Sequence, residues 1–268
     1  MPGQTLQSLD LSHLRKTVKS KNPFRNLIYM NKAFCRKRTI FSLLLTGCLI
    51  LFNLSCGLDT FYVIESPDNS WHTPSWDNRF YESNHFDFYT KDKDYDSIKF
   101  LGTEVYYKIY KSSTRLNTEV NDLITLADKS DSSSAAAERM IQSYRYQPLR
   151  ASGHEGDNIL FPTTGSNQFI SIRLSTYQLY PAEITIDRND SIGIPVRYLE
   201  RKPSFNFRAA DTNTIPKSDD VDVNTSGSSS EENLWYVAMF AVAVGQDVNY
   251  SPIYSNILYL GSVQIPVE

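Results

Sequence analysis

Beyond position 56 the chain offers three histidines, His72, His85 and His154, each alone in a polar stretch. General-base work, an activated nucleophile or a transition-metal centre needs two or more such groups held together. Read singly, they assign no catalytic residue and no metal ligand. Two acidic clusters could offer oxygens to calcium: Asp92, Asp94 and Asp96 in TKDKDYD, and Asp219, Asp220 and Asp222 in SDDVDVN. Calcium takes about six to eight oxygens from a turning loop, and a DxDxD spacing supplies about three. The first cluster is interleaved with lysines and lacks the glycine and distal glutamate of the known loop, so both clusters read as solvated turns. Carboxylates such as Glu104 and Asp87 could do acid and base chemistry on a glycan or peptide bond only if the fold brought them together. The chain holds no GxSxG, HExxH, GxGxxG or P-loop pattern. No cofactor is implied, and a binding or scaffolding role is expected, with an enzyme acting on glycan or peptide or a subunit of a larger complex as alternatives.

Aromatic residues suggest where binding would occur. Trp71, Trp76, Phe80, Tyr81 and Phe86 crowd one turn-rich stretch. Exposed rings can stack on sugars or grip a partner protein, whereas buried ones would close the end of a core. Trp71, Trp76, Phe80 and Tyr81 are the candidate binding surface.

The elements that must position these groups are mainly strands. Of the 268 residues 41% are hydrophobic and 13% aromatic, including 17 Tyr and 14 Phe, which is enough for a proper core and favours pleated surfaces. A first strand is expected at Phe61 to Glu65. GTEVYYKIYKS alternates Val105, Tyr107 and Ile109 with Tyr106, Lys108 and Tyr110, the pattern of a half-buried antiparallel strand. QFISIRLS, AEITID, IPVRYLE and SFNFRAA continue the strand signal. Between them, residues 115–143 place Val120, Leu123, Ile124 and Ala127 at helical spacing, then resume at Ala135 after a serine-rich hinge. Residues 211–233 are polar and read as a mobile loop.

The last segment, WYVAMFAVAVGQDVNYSPIYSNILYL, resembles the final two strands of fibronectin type III domains, and Gly102 to Ser113 is similar to their third strand. The resemblance implies an immunoglobulin-like antiparallel sandwich. The long gap between the two matches is reconciled by a short helical insertion.

Charge and hydropathy divide the chain. Residues 1–55 carry nine Lys or Arg and one acid, Asp10, whereas residues 56–268 have a net charge of −11. So acidic a body repels phosphate, which argues against nucleic acid as a partner. Lys32, Arg36, Lys37 and Arg38 precede an apolar run from Ile40 to Leu54, fifteen residues that fall short of the ~20 of a membrane span. Basic, apolar, small residue, Cys is the order of a bacterial lipoprotein signal, and the segment from Met30 to Cys56 resembles that class, in its looser spirochaete-type form. Cys48, in LTGC, has the better local match. Cys56, in FNLSC, leaves an apolar core of normal length and is the expected lipidation site, with Cys48 as the alternative and an uncleaved anchor as another.

The expected organisation is therefore a polar preface at 1–29, a signal peptide at 30–55 beginning at Met30, and an exported body at 56–268. Acyl chains would tether the body to a membrane of the cell envelope, the outer membrane being favoured because Gly57, and no Asp, follows the Cys. An envelope protein or a glycan is the candidate partner. Cys35 lies in the basic region, so the exported body would carry no free thiol.

Overall fold

A computed structural model describes residues 63–77, 80–129, 134–176, 179–197, 207, 216–227 and 234–266. The chain divides after Thr60, and all described residues belong to the unit Phe61–Glu268. Cys48, Cys56 and the signal segment lie outside them.

In chain order the strands are β1 Asp68–Asn69, β2 Phe86–Tyr89 and β3 Lys99–Tyr110. The helices follow, α1 Ser113–Lys129 and α2 Ala135–Glu138, the latter running into a π-turn at Arg139–Ser143. Then come β4 Gln147–Pro148, β5 Arg150–Ala151, β6 Phe161–Pro162, β7 Phe169–Arg173, β8 Glu183–Ile186, β9 Asp190–Gly193, β10 Pro195–Val196 and β11 Val223–Asn224. The chain closes with β12 Leu234–Gln246, β13 Pro252–Tyr254 and β14 Leu258–Pro266. Among the described residues the fold is mainly β, with antiparallel sheets and two short helices.

One sheet runs β1-β2-β7-β8-β9. A larger one is built on β3 and β12, paired from Lys99 with Gln246 to Tyr110 with Tyr236. β13 and β14 extend β12 on its other side, while β4, β6 and β11 patch the far edge of β3. The β11 contact, Val223 beside Ile109, is parallel. β5 and β10 form a separate short pair.

Period-two alternation explains the layers. Val105, Tyr107 and Ile109 of β3 and Val237, Met239 and Ala241 of β12 meet Phe86, Phe88, Ile170, Ile172 and Ile184 of the smaller sheet. The alternate residues Tyr106, Tyr110, Tyr236, Ala238 and Phe240 meet Leu116, Val120 and Leu123 of α1 and Ala136, Ala137 and Met140 beyond it. The large sheet is thus apolar on both faces because each face is covered, one by a sheet and the other by helices.

Several local expectations are corrected. Val63–Pro67 is not a strand; pairing begins at Asp68 and Asn69, against Tyr89 and Phe88. The second face of β3 is not half-exposed. Tyr106, Lys108 and Tyr110 are buried, and Lys108 is met there by Glu119 Oε2 at 3.0 Å and the Tyr144 carbonyl at 2.6 Å. Within the expected mobile loop, residues 216–227 are placed, and Asp222 is fully buried.

Candidate functional site

A cleft of about 940 Å³ opens on the Glu104 side of the face of β3 that also carries the helices. Alternation sets Glu104 and Tyr106 on that face, and β4 and β5 bring Pro148 and Arg150 beside them. Val244 and Gln246 of β12 and Tyr254 of β13 form another wall. The turn after β5 supplies Asp157, Asn158 and Ile159, and Lys99 stands at the start of β3. Gly102 lets the strand edge approach: its φ is +139°, and a Cβ there would lie 2.1 Å from the Phe161 carbonyl oxygen.

The floor is an ion pair. Arg150 Nη1 donates to both carboxylate oxygens of Glu104, at 2.9 and 3.0 Å, and to the Leu149 carbonyl at 2.6 Å. The Val105 amide donates to Glu104 Oε1 at 3.1 Å. Glu104 is only 2% exposed. Burial pushes its carboxyl up to about 7, against the opposing pull of Arg150. Above the pair, Tyr106 and Tyr254 are joined through their hydroxyls, and burial raises both phenols further above their ordinary range.

Asp87, the other carboxylate considered from sequence, does not line this cleft. It sits on β2 and accepts a 3.3 Å contact from His85 Nε2. His72 is not alone either: its ring stacks on that of His85 with centroids 4.0 Å apart and 11° between planes. His154, by contrast, pairs locally with Asp157 at 2.9 Å on the cleft rim, with both side chains about half exposed.

The acidic clusters are used internally in part, through Asp92, Asp220 and Asp222. Asp92 Oδ2 gathers the Thr163 hydroxyl and the Thr164 and Gly165 amides at 2.8, 2.7 and 3.1 Å, fixing the turn before β7. Asp94 and Asp96 are exposed. Asp222 is not a solvated turn residue: it takes Arg197 Nε at 2.7 Å, Arg197 Nη2 at 2.6 Å and the Tyr107 hydroxyl at 2.7 Å. Asp220 binds the same guanidinium at 2.7 Å, and Asp219 is exposed.

Of the aromatic candidates, Trp71 is 90% exposed and Phe80 62%. Trp76 stacks on Tyr236 at 5.0 Å, and its carbonyl accepts the Gln264 amide at 3.2 Å, so it pins this loop to the large sheet. Tyr81 opens a short 3-10 turn, Tyr81–Ser83. Arg150 and Tyr254 had no motif to announce them. The sequence signal that could have found Arg150 is its place between the apolar Leu149 and Ala151, where a buried charge needs an internal partner.

The chain matches no protein-family model, no curated protein and no solved structure. Fold and site therefore define its class: a mainly-β protein with packed antiparallel sheets, a helical cover and a polar, tyrosine-walled cleft. Among the described residues no helix is long and apolar enough to cross a membrane.

Proposed function

We propose that the chain is a lipid-anchored envelope protein that binds its ligand without converting it. Acyl chains on Cys56, or on Cys48 in the alternative signal, tether the body to a membrane of the envelope, with the outer membrane favoured. The cleft over Glu104 and Arg150 takes an envelope glycan, whose hydroxyls suit Asn158, Gln246 and Lys99 and whose ring faces suit the tyrosines. The observation that carries the binding reading is the commitment of Glu104: both its oxygens accept from Arg150 at the buried floor. A carboxylate held this way fixes the floor beneath Tyr106 and Tyr254.

The finer fold reading is an immunoglobulin-like sandwich with an added helical layer. In its support, the segments that resemble the third and last two strands supply β3, β12 and β14, which lie side by side in that order.

A second reading rests on the same residue. A carboxyl at about 7 can act as a general acid, and Asp157 shares the cleft, so a glycan hydrolase is the alternative. Calorimetric titration with soluble glycan fragments of the producing cell's envelope separates the two. Binding that is lost in Tyr254→Ala and Gln246→Ala, with fragments recovered intact by mass spectrometry, supports the module. Cleavage abolished in Glu104→Gln supports the hydrolase, and no binding at all overturns the cleft assignment. Radiolabelled fatty acid tests the anchor: label must vanish in Cys56→Ser or Cys48→Ser, and label absent throughout refutes it.

A further inference from the structure

His85 and Asp87 are two residues apart around β2 and share its outer face, because Phe86 and Phe88 point into the core. Over them crosses the loop after β1. It is held by Ser70, whose hydroxyl donates to the Asp87 carbonyl at 2.9 Å and accepts the His72 amide at 3.3 Å. Trp71 in between has φ +66°, and its amide is fixed by Asn69 Oδ1 at 2.9 Å. The loop therefore delivers the His72 ring flat against His85.

One ligand atom from each of His72, His85 and Asp87 lies within 4.8 Å of the others. His72 Nε2 and Asp87 Oδ1 are buried from solvent and make no hydrogen bond. Buried acceptors or donors without partners are uncommon, and each calls for an explanation. Two imidazoles and one carboxylate form a ligand set for zinc and its divalent neighbours. In a tetrahedral site with bonds of about 2.0–2.1 Å, ligand atoms stand about 3.4 Å apart, so closing on an ion requires the two stacked rings to splay from their 11° interplanar angle and the three atoms to draw in.

We propose that His72, His85 and Asp87 bind one divalent transition-metal ion of the zinc class, clipping the loop that carries Trp71 onto β2 and leaving a coordination position for water or an outside ligand. Arg173 Nη2 lies 3.3 Å from His85 Nδ1. When His85 ligates through Nε2, its ring proton resides on Nδ1 and this long contact is released. Arg173 keeps the carbonyls of Glu82 and Asn84, at 3.3 and 3.4 Å. The ion does not depend on the anchor or on the cleft proposed above.

The test is calorimetric titration of the chelator-treated full chain with Zn²⁺, together with metal analysis after dialysis. We expect one ion per chain, with affinity falling at least about 10- to 100-fold in His72→Gln and in Asp87→Asn and unchanged in His154→Gln. Co²⁺ or Cu²⁺ should quench tryptophan fluorescence in the wild type, and Trp71→Phe should remove most of that quenching. Metal-free melting temperatures of the variants, matched to wild type, show that the fold is intact. A variant that melts early is replaced by Arg173→Gln, which frees His85 Nδ1 and should tighten binding. Absence of one-to-one binding, or equal affinity in wild type, His72→Gln and Asp87→Asn, overturns the proposal.

Discussion

Glu104 makes the stability of this protein depend on pH in an unusual direction. Most carboxylates in folded proteins sit below their unfolded values, so folding favours their ionised form. Burial moves Glu104 the other way, from 4.5 up to about 7. Between those two values the folded state holds a proton that the unfolded chain has already released. Stability contributed by this group is therefore complete below about pH 4.5 and lost as pH rises toward 7. The shift of roughly 2.5 pH units corresponds to about 3 kcal/mol at about 1.4 kcal/mol per unit. Other groups titrate in the same range, so the measurement is a difference. Urea unfolding of wild type and Glu104→Gln, run from pH 4.5 to 8, isolates the carboxyl. Wild type should lose about 3 kcal/mol relative to Glu104→Gln across that window, then track it in parallel. Arg150→Met removes the opposing charge, so its relative loss should continue above pH 7, by up to about 1.4 kcal/mol per pH unit, where wild type levels off. A wild-type minus Glu104→Gln difference that stays constant across the window would refute the reasoning.

Two further outcomes follow from the packing. Asp222→Ala strips the partner from Arg197, which is 1% exposed, and from the Tyr107 hydroxyl; it should cost about 3–5 kcal/mol, read as a lower urea midpoint with an unchanged slope. Gly102→Ala sets a Cβ against the Phe161 carbonyl at a φ that side chains avoid, and should cost about 3 kcal/mol in thermal melts, with the Thr163 amide, which donates to the Leu101 carbonyl, gaining exchange first.

How much of this was legible depended on whether a residue's partner lay nearby in sequence. β12 announced itself: ten residues from Trp235 to Val244 that are apolar at every position have two buried faces. The helical spacing of Val120 and Leu123 likewise reported a face that does pack against β3 and β12. Lys108 misled, because a lysine amid alternating residues signals solvent, and its acceptor, Glu119, lies nearly two turns into α1. Asp222 misled for the same reason: its neighbours are polar, but Arg197 waits 25 positions upstream to neutralise it. His72 and His85 looked solitary because thirteen positions separate them and only the left-handed turn at Trp71, just before His72, brings their rings together. The cleft was the least legible feature, since Glu104, Arg150 and Tyr254 come from three distant segments and converge only once β3, β5 and β13 are in register.

The pairing of β3 with β12 has a kinetic side. Tyr107 lies opposite Met239, more than a hundred residues later, and the joining of β3 and its edge strands to the local β12, β13 and β14 depends on that one long closure. Closing so large a loop is entropically slow, and no local hairpin substitutes for it. A chain made or threaded from its N-terminus delivers β12 and β14 last. Under the export route proposed above, the body therefore stays unfolded until transit is almost complete, which is the condition a narrow translocation channel imposes. The same delay means that a chain ending before Leu234 would present β3 with a permanently open edge, a target for proteolysis or aggregation.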